Sequence, residues 1–95
     1  MVIVQGVFHL DPSDVAAFLE GRKPGMERSR AEPGCIEYVF GVDPLDTGRV
    51  ILSERWASRA DLDTHLGALA TAPAADSPPV ISRDITFYEA EPFTP

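Results

Sequence analysis

The chain is short of several things, and each shortage closes a class of function. It has a single cysteine, Cys35, in 95 residues. No intramolecular disulfide can form from one thiol, and no cysteine metal cluster can be built. The expectation for Cys35 is a small buried hydrophobe, because free cysteine packs like one. Basic residues are scarce, eight against fifteen acidic, which leaves a net charge of −7. Such a field repels a phosphate backbone, so nucleic acid is not an expected partner. Long apolar runs are absent, and no membrane association is expected. The opening "MVIVQGVFHLDPSD" lacks a basic leader and a small-residue cleavage site, so it reads as a strand and the expected compartment is the cytoplasm.

What is present is the composition of one globular domain, 1–95, with 44% hydrophobic and 24% charged residues. Residues 2–10 alternate, with Val2, Val4, Phe8 and Leu10 on one side and Ile3, Gln5, Val7 and His9 on the other, as in a strand. "DPSD" supplies helix-start chemistry, with Asp11 or Ser13 as cap. Val15, Phe18, Leu19, Arg22 and Met26 then form one helical stripe. Pro24 and Gly25 interrupt it, and a kink or break is predicted there because proline frees the carbonyl of Glu20. "EPG" at 32–34 ends the helix and reads as turn chemistry. "CIEYVFGV" and "RVILSERW" alternate again around the turn "DPLDTG", which predicts an antiparallel hairpin.

In "ERWASRADLDTHL" Ser58 begins a second helix by accepting from the Asp61 backbone. That helix carries Leu62, His65, Leu66 and Leu69 on one face, so His65 is predicted to look inward. Residues 70–80 are an Ala/Pro loop, and "ISRDITFYEA" is the last strand, with Ile81, Ile85 and Phe87 expected to pack. The order β-α-β-β-α-β is the split βαβ, ferredoxin-like α+β arrangement on an antiparallel sheet. Two helices cover one sheet face only. Ile3, Val7, Val39 and Ile51 would be left on the other, and a second copy packed sheet on sheet is the expected partner.

Glu32-Pro33-Gly34-Cys35 with Tyr38, the acidic hairpin ending Gly48-Arg49, and Glu54-x-Trp56-x-Ser58 leading to Leu62 and His65 together resemble the antibiotic biosynthesis monooxygenase family. The resemblance implies a dimeric α+β barrel with a pocket between sheet and helices in each subunit. For the catalytic members it implies oxygenation of electron-rich aromatics, quinols or anthrones, with no cofactor: neither flavin, heme nor metal. Such chemistry asks for a base, a donor to the developing anion and an apolar cavity. On that basis His65 is the candidate catalytic base, since an imidazole titrates near neutrality. Trp56, Tyr38 and Phe40 are the candidate substrate-binding walls. The expected function is a cofactor-independent monooxygenase of a small aromatic, with a non-catalytic dimer that binds a small apolar ligand as the alternative. A third form is a dimer whose pocket is filled by its own side chains.

Departures from the family pattern bear on this choice. Many quinol-oxidising relatives carry a second histidine in a His-x-x-x-Pro-His pattern, and its place here falls at about Ala70. Heme-degrading relatives use an asparagine, a tryptophan and a histidine whose places hold Gly6, His65 and roughly Ala75, so heme degradation is not expected. A metal pair from Asp61 and His65 lacks the further ligands a site needs. Glu54, on the face of Trp56, is expected to be a buried charge in need of a partner such as Arg22. Arg55, of opposite parity, is assigned to an interface or solvent.

Overall fold

A computed structural model describes residues 1–74 and 76–95. Its elements are β1 (Val2–His9), a 3₁₀ turn (Pro12–Asp14), α1 (Val15–Arg30), β2 (Cys35–Asp43), β3 (Asp46–Trp56), α2 (Arg59–Thr71) and β4 (Ser82–Glu89). The four strands form one antiparallel sheet in the order β2-β3-β1-β4. This is the ferredoxin-like arrangement that the sequence predicts, with the β2–β3 hairpin in place. Ala75, at the heme-degrading histidine's place, lies outside the described residues, as does that part of the Ala/Pro loop. Among the described residues no helix is long and apolar enough to cross a membrane.

Strand alternation decides which side chains meet the helices. Val2, Val4 and Phe8 from β1, Val50, Leu52, Glu54 and Trp56 from β3, and Tyr38 from β2 are buried on one face. They join Val15 and Phe18 of α1 and Leu62 of α2 in a single core. The opposite face carries Ile3, Val7, Val39 and Ile51 without a helix above them, Val39 and Ile51 being exposed. Arg55 lies on that open face and pairs with Glu37 at 3.6 Å. His9 is exposed there as well.

Two local expectations need correction, and one open choice is decided. α1 runs unbroken through Pro24. Pro24 and Glu20 both lie on the exposed side of the helix, where water can take the orphaned carbonyl. The last strand does not pack as its pattern suggests: Ile81 is 74% exposed and Phe87 51%. α2 covers the sheet with its first half only, burying Leu62 and His65 while Leu66 and Leu69 stay largely exposed, so β4 has no lid. Asp11, not Ser13, caps the first turn, accepting from the Ser13 N–H at 2.9 Å.

The turn between α1 and β2 is fixed by Gly34, whose φ of 79° favours a residue without a Cβ. A Cβ there would collide with the Asp61 carboxylate at the start of α2. The Gly34 carbonyl also accepts from the Ala57 N–H at 2.8 Å. The "EPG" turn is therefore clamped to the β3–α2 junction. Gly34→Ala is expected to lower unfolding free energy in urea by about 1–3 kcal/mol, from backbone strain and the clash together. A loss below about 0.5 kcal/mol would mean the clamp is looser than this geometry.

Candidate functional site

Four segments converge on one imidazole. α2 begins at Ser58, whose hydroxyl accepts from the Asp61 N–H at 3.2 Å, as the sequence predicts. Seven residues on, His65 sits under the helix and is 1% exposed. β3 contributes Glu54 and Trp56, two residues apart and hence on one face. β2 contributes Tyr38, directly across from Glu54 in the ladder. The turn after α1 contributes Glu32.

The geometry around His65 is tight. Nδ1 lies 2.8 Å from Glu32 Oε1, and Nε2 lies 3.8 Å from Glu54 Oε1. The Trp56 indole N–H donates to Glu54 Oε1 at 2.9 Å. The Trp56 ring lies against the imidazole with centroids 4.5 Å apart, and the Tyr38 ring meets it edge-on at 5.4 Å. Trp56 is fully buried and Glu54 is 5% exposed. Two carboxylates thus hold one imidazole between them, with aromatic rings as walls.

Burial pushes the Glu54 carboxyl above its ordinary value; the Trp56 N–H and the His65 charge oppose the rise, and the Glu32 charge adds to it. Burial, then the Glu54 charge, pushes the Tyr38 phenol up to about 12, so it is a neutral donor at physiological pH. Burial raises the Cys35 thiol too, followed by the charges of Glu32 and Glu54. That is the opposite of what a thiolate nucleophile requires. Cys35 is only partly buried, packed against the edge of the core.

Of the sequence-predicted residues, His65, Trp56 and Tyr38 come together. Phe40 stands one ring away, 6.0 Å from Tyr38, in an aromatic group with Phe8 and Phe18. Glu54 is buried as expected, but its partners are Trp56 and His65. Arg22 instead places its guanidinium 4.9 Å over the Phe18 ring. Asp61 bonds with Ser58, so it is not paired with His65. Glu32 was missed: its place beside proline and glycine marks a turn, and nothing in its spacing reveals that the turn folds back onto α2.

A cleft of about 400 Å³ opens between α2 and β4, lined by Val2, Leu62, Leu66, Phe87, Tyr88 and, at one end, the Arg59–Glu89 pair. None of the four candidate residues lines it. Its floor is nevertheless contiguous with them, since Val2 pairs with Trp56 and Leu62 lies one turn before His65.

An α+β sandwich of this topology, with a carboxylate–imidazole–carboxylate group under its second helix, defines the class. The profile of the family described as Antibiotic biosynthesis monooxygenase matches residues 1–72, and the chain belongs to that family. An uncharacterized protein of Synechocystis sp. is 34% identical over 64 residues, 67% of this chain; the match spans 44% of that protein, less than half its length. A Deinococcus radiodurans structure assigned to antibiotic biosynthesis monooxygenases superposes with a TM-score of 0.78 at 22% identity, covering 100% of this chain and 97% of that one. The Rv0793 structure from Mycobacterium tuberculosis gives 0.69 at 26% identity, covering 99% and 98%.

The raised Glu54 carboxyl has a thermodynamic consequence. The folded state holds that proton more tightly than the unfolded chain does. Stability therefore falls as pH rises from the ordinary carboxylate range to the raised value, and the full cost remains above it. Glu54→Gln keeps an acceptor for Trp56 and removes the charge. Its melting temperature is expected to fall less than the parent's as pH rises above the ordinary carboxylate range, and to be at least equal to that of the parent at the upper end. An unchanged slope with a lower melting temperature throughout would contradict the assignment.

Proposed function

We propose that the chain is a cofactor-independent monooxygenase of a small electron-rich aromatic, of quinol or anthrone type. The observation that carries this reading is His65, held between Glu32 and Glu54 and walled by Trp56 and Tyr38, on the helix that also lines an apolar cleft. His65 takes the proton from a substrate hydroxyl or activated C–H. The resulting anion is electron-rich enough to reduce dioxygen without a bound cofactor. One oxygen atom enters the ring carbon and the other leaves as water, with both hydrogens drawn from the substrate. Glu32 and Glu54 stabilise the imidazolium that forms, and the neutral Tyr38 phenol and the Trp56 ring shape the wall.

His65 is buried and does not line the cleft, whose walls include Val2 and Leu62. Substrate entry then requires α2 to lift, which its half-exposed Leu66 and Leu69 make inexpensive. The same burial favours the second reading, a binder that holds a small apolar ligand in the α2–β4 cleft without turnover. Oxygen uptake by the purified protein against reduced quinols and anthrones separates the two. Uptake above autoxidation, lowered on the order of a hundredfold or more in His65→Ala, is the expected result. Uptake that the substitution leaves unchanged would remove His65 as the base, and no uptake with ligand still bound would establish the binder.

A homodimer belongs to the same proposal. The open sheet face presents Ile3, Val7, Val39 and Ile51, and a second copy is the simplest cover for it. Sedimentation is expected to give twice the chain mass, with Ile51→Asp shifted to the monomer. A parent that sediments as a monomer at micromolar concentration would contradict this assembly.

A further inference from the structure

The two carboxylates around His65 are not equivalent. Glu32 Oε1 is at hydrogen-bond distance from Nδ1, 2.8 Å, whereas Glu54 Oε1 at 3.8 Å from Nε2 is within ion-pair range only. The Glu32 side chain is 23% exposed and the Glu54 side chain 7%. An ionised carboxylate can only accept, and Glu32 is the one of the two with the wider path to water. In the short bond the proton must therefore sit on Nδ1. Nε2 is then the ring nitrogen with a free lone pair, and it faces the core. Among the described residues the Tyr38 ring also meets the imidazole, with its aromatic edge.

We propose that Glu32 is a positioning residue, which fixes His65 in its Nδ1–H tautomer so that core-facing Nε2 is the nitrogen that takes up and returns a proton. On uptake a new N–H bond forms at Nε2, an O–H or C–H bond breaks on the donor, and its electron pair stays with the donor. The Nδ1–H bond to Glu32 persists throughout, and the imidazolium stands between two carboxylates. A third partner orienting the base is the general logic of paired nucleophile and base sites. The catalytic consequence rests on His65 acting as the base, but the tautomer itself does not.

Long-range ¹H–¹⁵N correlation of the imidazoles in ¹⁵N-labelled protein tests it without turnover, with exposed His9 as the internal reference. Under conditions where the ring is neutral, His65 is expected to show a protonated-type Nδ1 and an unprotonated-type Nε2. Glu32→Ala is expected to move it to the mixed pattern of His9, and Glu32→Gln, which keeps side-chain volume, to shift it part of the way. The unsubstituted spectrum alone can overturn the proposal, by showing Nε2–H or by showing both nitrogens protonated at every accessible pH. Retention of the Nδ1–H pattern in Glu32→Ala would overturn it as well. Absence of oxygen uptake alongside an Nδ1–H spectrum would sink the base reading and leave the positioning role standing.

Discussion

An ionisable group buried under a helix has to be met by polar partners, and that constraint organises this fold. Glu54 stands at a core position of β3, between Leu52 and Trp56 on the buried face. Removing a carboxylate from water costs several kcal/mol unless a cation or donor meets it. The Trp56 indole supplies one donor from the same strand, and His65 brings an imidazole from α2. His65 in turn is buried and needs a partner for its outer nitrogen, which Glu32 provides from the α1–β2 turn. One polar chain therefore ties helix, sheet and turn together at a point where apolar contact alone would not specify their registry.

The rest of the α2 interface is weak by comparison. Leu62 is its one fully buried aliphatic side chain, and the second half of the helix overhangs β4 without closing on it. The polar group thus both anchors α2 and leaves its far end free, next to the apolar cleft. The Gly34–Asp61 approach and the bond from Ala57 to Gly34 reinforce the anchored end. A helix pinned at one end and loose at the other can open at its far end without disrupting the sheet.

Much of this was legible in the residues. Period-two alternation placed β1, β2 and β3 and the buried parity of Tyr38, Glu54 and Trp56, because one face of each of those strands is buried under helices. The Ser58 cap and the Leu62–His65 spacing placed His65 inward. Periodicity failed for the last strand: Ile81 falls just before β4, and Ile85 and Phe87 carry the pattern of a packed strand although α2 does not close on them. It failed for Pro24, since an exposed helix side tolerates a lost hydrogen bond. Glu32 was out of reach for a different reason: it lies 33 residues from His65 in sequence, and no local pattern reports a contact made by the docking of a turn onto a helix.

The central claim is that Glu32 and His65 are energetically one unit, and a double-mutant cycle of Glu32→Gln and His65→Gln by urea unfolding measures it most directly. Hydrogen bonds to charged groups contribute roughly 1.5–3 kcal/mol, so a coupling energy in that range is expected. Substitutions that add to within about 0.5 kcal/mol would show that the two side chains are neighbours without being partners, and the account of how α2 is held would fail with them.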